Sequence, residues 1–355
     1  MVSSSPSDSQ PDSRFARVWT RTVAVHAGNA REQWTERTSV IVALGEDEHV
    51  GFGEAAPLPG WSHESAEEAE IELQVHARAF AIRGLGAAPQ TATLKSVQFA
   101  LESAWLDLAA QRAGQPAWAL LAGAAPARLT CNALLAEHPS EWFEAALRMV
   151  ARGAHSLKVK IGWPDLSVAA QLEALRALAA AVNVPIRLDA NSTFDAAQAQ
   201  HLREALRGDP RFEYVEDPVR DLRELTPAGL AFAADELFLR TPDAVRALQP
   251  SDGLAALVIK PTLYGSVRGL LSEAKAARAR GVRTVIAHAF EGAIAYAALC
   301  HLAFALDDPD TCMGLAAHPA LRQWPNAPTN DFTLERPTRA GLGLDADAIL
   351  RWLDG

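Results

Sequence analysis

At 355 residues the chain is too long for one ordinary core and suits a large barrel with a smaller attached domain. Hydrophobic residues make up 49% and charged residues 21%, with no charge block or repeat, which excludes a disordered or fibrous protein. Thirty-three basic against forty-three acidic residues give a formal charge of −10, which repels phosphate backbones and argues against a nucleic-acid partner.

The first fourteen residues, MVSSSPSDSQPDSR, lack the basic start and apolar stretch of a secretory signal and read as a disordered tail. From Phe15, RVWTRTVAV and RTSVIVALGED are β-rich runs that predict a small antiparallel sheet. GFGEAAPLPGWSHES reads as a loop punctuated by Gly and Pro, and its final Ser65, with Glu68, predicts a capped helix to about Phe80. A second helix is predicted over Leu94–Arg112, with Val97, Ala100, Leu101, Ala104, Trp105 and Leu108 on one buried face. Strands followed by helices predict an α+β capping domain over residues 15–125.

After Pro126, short apolar runs alternate with helical segments, the texture of βα units. Eight candidate strands are RLTCNALL at 128, HSLKVK at 155, PIRLD at 185, FEYVE at 212, LAFAAD at 230, LAALVIK at 254, VRTVIAH at 282 and DTCMGL at 310. The fold class is therefore α/β, a (β/α)7β TIM-like barrel over residues 126–330 behind the N-terminal capping domain. Residues 331–355 are expected to pack back on the capping domain. The apolar run Gly292–Leu306 is too short to cross a hydrocarbon layer of about 30 Å and predicts a buried helix rather than a membrane span. Cys131, Cys300 and Cys312 are widely spaced in apolar surroundings and predict reduced thiols in a cytoplasmic protein.

The chemistry gathers where barrel strands end. Lys158 and Lys160, Asp189 and Asn191, Glu216, Asp235 and Lys260 close successive runs that are otherwise apolar. Barrel enzymes act at that face, and side chains two apart on a strand share a side. Asp189, Glu216 and Asp235 brought together would repel one another unless a cation joined them. Oxygen-only ligands suit Mg²⁺, or Mn²⁺, better than Zn²⁺ or Cu²⁺. A lysine beside that ion and another cation is expected to have a lowered pKa and to act as a base. A carboxylate substrate bound to the ion would have its α-proton made acidic. The predicted reaction class is proton abstraction α to the carboxylate of a small molecule. In the loops over the mouth, Glu54 and Trp61 are candidate substrate contacts, as are His288, which ends the seventh predicted strand, and Glu291 beyond it. No GxGxxG, GxSxG or HExxH motif offers a different chemistry.

The motifs SLKVKIG (156–162), RLDANSTF (187–194), EYVEDP (213–218), ADELF (234–238) and VIKPTLYGS (258–266) resemble the enolase superfamily in its muconate-lactonizing subgroup. The resemblance implies that Lys160 is the base, with Lys158 its partner, and that Lys260 stands on the opposite face of the substrate. It implies that Asp189, Glu216 and Asp235 hold the metal and that Asn191 supports the site. Residues 51–65 and the stretch VIAHAFEGAIAYAALCHLA further resemble the dehydratases of menaquinone biosynthesis. That implies loss of water from a cyclohexadiene carboxylate bearing a succinyl group and a hydroxyl. The pattern departs at Ala287, His288, Ala289 and Gly292, where relatives tend to carry serines. Racemisation or epimerisation of N-succinylamino acids or dipeptides shares every one of these groups, and a catalytically idle binding barrel is the alternative from another class. Oligomeric state is left open.

Overall fold

The computed structural model describes residues 14–28, 33–85, 91–328 and 332–355. The tail expected over residues 1–14 lies outside the described residues except for Arg14, which opens the first strand. β1 (Arg14–Gly28), β2 (Gln33–Glu46) and β3 (His49–Ala55) form an antiparallel sheet in that order. The VIVAL run of β2 is continuously apolar because both faces of the sheet are covered. Val40, Val42 and Leu44 pack under α1 (Ala66–Arg83) and α2 (Lys95–Arg112), while Ile41 and Ala43 face the other way, toward the barrel. Ser65 and Glu68 form the expected reciprocal cap of α1.

Residues 51–55 belong to β3 rather than to the predicted loop. Their glycines serve close packing: a Cβ on Gly51 would meet the Ala104 carbonyl at 2.2 Å, and one on Gly53 the Ala100 carbonyl at 1.9 Å. Glycine therefore lets α2 lie directly on the strand.

After α3 (Ala117–Leu121), the predicted run at 128 divides into β4 (Arg128–Thr130) and β5 (Ala133–Leu135). The chain changes partner between them: Cys131 donates its N–H to the Phe332 carbonyl at 2.8 Å, and Asn132 to that of Met313 at 2.9 Å. β4 pairs with a late strand, Thr333–Glu335, while β5 enters the barrel sheet. Then follow α4 (Trp142–Ala151), β6 (Leu157–Lys160), α5 (Val168–Ala181), β7 (Ile186–Asp189), α6 (Ala196–Ala205), β8 (Phe212–Glu216) and β9 (Phe232–Ala234). The short α7 (Glu236–Arg240) and α8 (Pro242–Ala247) lead to β10 (Leu254–Ile259), α9 (Pro261–Tyr264), α10 (Val267–Ala279), β11 (Arg283–Ile286) and α11 (Ala293–Ala305).

β5 to β11 make one seven-stranded parallel sheet. The run at 310, predicted as an eighth strand, contributes isolated bridges instead, Met313 to Cys131 and Gly314 to Ala287. These join the two sheet edges and close the ring. Tyr214, Ala233, Ala256, Val258, Val285 and Ala287 fill its interior. α11 is buried almost throughout, as its apolar run required. β12 (Thr333–Glu335) and α12 (Ala346–Asp354) end the chain; Ile349 and Leu353 share a core with Val23, Val25 and Trp34. Among the described residues no helix is long and apolar enough to cross a membrane, and all three cysteines are free.

Candidate active site

Parallel register sets the charged groups side by side. Lys160 lies opposite Asp189 across β6 and β7, and Asp189 opposite Glu216 across β7 and β8. Asp235 and Lys260 are the residues immediately after β9 and β10. In the ring order, β6 and β10 are four strands apart, so Lys160 and Lys260 approach from opposite sides of the mouth.

Lys158 donates to Glu216 Oε1 and lies 3.1 Å from Asp189 Oδ2. Lys160 Nζ lies 3.2 Å from that same Asp189 oxygen and donates to Asn191 Oδ1. Lys260 donates to Asp235 Oδ2, and its ammonium stands 5.3 Å from the centroid of the Trp61 ring. Asp189, Glu216, Asp235 and Lys160 are all buried.

Burial pushes the Glu216 carboxyl up to about 7; Lys158 opposes it, and the Asp189 and Asp235 charges add to it. Burial would raise Asp189 too, but Lys158 and Lys160 hold it below the usual carboxylate range. Lys158 and Lys260 are held above the ordinary lysine value, because the surrounding carboxylates outweigh the lowering by burial. For Lys260 the attraction of Asp235 also exceeds the lowering by Lys158.

Among the described residues no three His, Cys, Asp or Glu side chains converge as a ready metal cage; lysine ammoniums lie between the carboxylates. The donor set nevertheless fits a hard divalent cation. Asp235 Oδ1 is buried without a hydrogen-bond partner, an arrangement that is unfavourable unless a positive group reaches it. The carboxylates of Asp189 and Glu216 supply oxygen donors of the same kind from adjacent strand ends.

A supporting layer fixes these groups. Asn191 and Ser192 adopt left-handed backbone, φ 44° and 57°, and Asn191 Nδ2 donates to Glu236 Oε1 at 3.0 Å. Asp217 accepts the backbone N–H of Asp235 at 3.0 Å and of Glu236 at 2.5 Å, which sets the turn where Asp235 leaves β9. Asp217 and Glu236 stand out in the sequence only as polar strand-end neighbours of Glu216 and Asp235, with no role of their own.

A cavity of about 820 Å³ opens over this floor and is lined by Lys158, Lys160, Asp189, Asn191, Asp235 and Lys260. Trp61 and His288 also line it, as predicted contacts would. Its far wall is aromatic: His288 lies 5.1 Å from Phe290 and 5.0 Å from His318, and Phe290 lies 6.2 Å from Trp34. His318 Nε2 is 2.9 Å from the Glu291 carbonyl, which can only accept, so that nitrogen carries the proton. His288 Nδ1 accepts the Phe290 N–H at 3.3 Å. Burial lowers both imidazoles, His318 to about 4, with His318 and the lysines adding to the effect on His288. These aromatic groups are uncharged at neutral pH, whereas the floor is densely charged.

Glu54 and Glu291, expected to touch substrate, do not line the cavity. Glu54 accepts the N–H groups of Gly292 at 2.6 Å and Ala295 at 2.8 Å, capping α11, and takes the Ser39 hydroxyl at 2.6 Å. Glu291 accepts the Ala289 N–H at 2.6 Å and the Thr262 hydroxyl. Both carboxylates satisfy buried donors, and this turns them away from solvent. Trp34, Phe290 and His318 were missed from sequence, because nothing local in the chain marks them as neighbours.

Two family descriptions match the chain: "Enolase C-terminal domain-like" over residues 141–349 and "MenC, N-terminal domain" over residues 13–108. The o-succinylbenzoate synthase of Klebsiella pneumoniae is 33% identical over 305 residues, covering 82% of this chain and 88% of the relative. Among solved structures, muconate lactonizing enzyme from Pseudomonas putida superposes with a TM-score of 0.78 at 22% identity, over 96% of this chain and 98% of that one. The dipeptide epimerase from Enterococcus faecalis, complexed with Mg and the dipeptide L-Leu-L-Tyr, gives 0.76 at 23% identity, over 93% and 98%. A parallel barrel, a capping sheet and charged strand ends thus coincide with matches over both parts of the chain, which belongs to the o-succinylbenzoate synthase family of the enolase superfamily.

Proposed function

We propose that the chain dehydrates 2-succinyl-6-hydroxy-2,4-cyclohexadiene-1-carboxylate to o-succinylbenzoate in menaquinone biosynthesis. The observation that carries the reading is the pair of lysines facing each other across the mouth, beside three buried carboxylates at neighbouring strand ends. Asp189, Glu216 and Asp235 would hold Mg²⁺, with Mn²⁺ an alternative. When bound, such an ion polarises a substrate carboxylate and so acidifies the adjacent carbon.

Lys160 removes the proton from the ring carbon bearing the carboxylate. The C–H pair becomes the new ring double bond as the neighbouring C–O bond breaks, and Lys160 returns its proton to the departing hydroxide as water. Lys260 offers positive charge from the other side, and Trp61 covers that ammonium. Lys158 neutralises Glu216 and Asp189, while Asn191 aims Lys160. His288 and Trp61 are proposed to contact the substrate from the wall and the capping loop. A dividing point near residue 125 and a cytoplasmic location complete the proposal.

Purified protein with Mg²⁺ and the cyclohexadiene carboxylate should form succinylbenzoate, and EDTA should stop it. The opposed lysines also favour a second reading, racemisation or epimerisation, because one can deprotonate and the other reprotonate. Deuterium exchange into N-succinylamino acids or dipeptides, without succinylbenzoate formation, would overturn the first reading in favour of the second.

A further inference from the structure

The loop from Ala287 to Gly292 carries the neutral wall of the cavity; barrel residues hold its start, at Ala287 and His288, while two buried side chains of the capping domain fasten its end. Glu54, at the end of β3, is fully buried, and its two oxygens accept the Gly292 and Ala295 N–H groups at 2.6 and 2.8 Å. Arg37, on β2, is also buried; it donates to the carbonyls of Pro57 at 2.6 Å and Ala56 at 2.8 Å and reaches that of Phe290 at 3.4 Å. One guanidinium therefore ties the capping loop to the wall. Phe290 itself holds φ at 60°, a left-handed conformation that a bulky residue keeps only when its surroundings enforce it. On the far side, Trp324 packs so closely on Gly292 that a Cβ there would fall 2.1 Å from its ring. Squeezed from one face and bonded from the other, the wall has little freedom of its own.

We propose that Glu54 and Arg37 are positioning residues that act from behind the cavity, fixing His288 and Phe290 at the spacing that admits the uncharged part of the substrate's side chain. This assignment rests on the dehydration reading for its kinetic consequence, but not for its structural one. Neither residue touches the charged floor, so catalysis by Lys160 and Lys260 is independent of them. Loss of the clamp frees the wall and weakens recognition while leaving the chemical step intact.

Glu54→Gln keeps the volume but offers one acceptor oxygen where two are used, and Arg37→Met keeps much of the stem but removes every donor. Amide hydrogen exchange on full-length protein tests the clamp directly. Both variants should speed exchange across residues 287–296 by tenfold or more, with β6 to β8 unchanged. Unchanged protection at 287–296, or equal loosening everywhere, overturns the clamp whatever the enzyme's substrate. In steady-state kinetics, KM for the cyclohexadiene carboxylate should rise about tenfold while kcat stays within about twofold. A fall in kcat with KM unchanged overturns the positioning role. Should wild-type protein form no succinylbenzoate, the dehydration reading fails and the exchange result still decides the clamp. Ser39→Ala, which removes only the hydroxyl bond to Glu54, serves as the milder variant where Glu54→Gln folds poorly.

Discussion

The floor and the wall of one cavity are built on opposite principles. The floor crowds Lys158, Lys160 and Lys260 among three buried carboxylates, and ion pairs join each lysine to a carboxylate. The wall sets His288, Phe290, His318 and Trp34 together without charge, and its order comes from aromatic contact and backbone hydrogen bonds. Charged groups suit chemistry that develops charge, while an uncharged surface suits discrimination of shape. Their difference teaches that reaction class and substrate choice are written in separate parts of this molecule.

The comparison breaks most sharply at the floor. Lys160→Ala should lower kcat by about 10³-fold, roughly 4 kcal/mol of transition-state stabilisation. Circular dichroism should show the fold retained, and activity within tenfold of wild type would remove Lys160 as the base. Stripping divalent ions with EDTA should abolish turnover, and added Mg²⁺ should restore it. Turnover that survives exhaustive chelation would leave Asp189, Glu216 and Asp235 without their proposed role.

At the wall the expected effects are smaller and concern stability. His318 is neutral in the fold, lowered by burial from 6.5 to about 4. The unfolded chain binds the extra proton between those values. The contribution of the neutral ring is therefore complete above pH 6.5 and is lost as pH falls through 4, up to about 3 kcal/mol. Urea unfolding at pH 7 and pH 5 should show this loss, and His318→Gln should flatten it. An unchanged pH slope in the variant would deny that the wall excludes protons. The smallest effect joins the two regions: Trp61→Leu removes the ring over Lys260 and should cost about 1 kcal/mol, seen as a few-fold rise in KM.

Much of the floor was legible in the chain because a parallel strand fixes where its last residues go. Lys160, Asp189 and Glu216 needed only the inference that their strands were neighbours. The cap at Ser65 and the buried α11 were legible for the same local reason. Residues 51–55 were misread because glycine signals a turn until the helix pressing on it is known. The run at 128 looked like one strand because its change of partner at Cys131 depends on residues some 180 to 200 positions away, Met313 and Phe332. Glu54 and Glu291 looked like substrate contacts because a carboxylate near a mouth reads as exposed, yet buried N–H groups claim both.

By itself, then, the sequence determined the alternating units, the charged strand ends and the class of chemistry they support, since these follow from spacing along a strand or helix. Only the tertiary structure decided which carboxylates face the cavity, which residues form its neutral wall, and in which direction Lys158 and Lys260 are shifted. Those properties depend on distances between segments far apart in the chain, and on burial, which spacing along the chain does not encode.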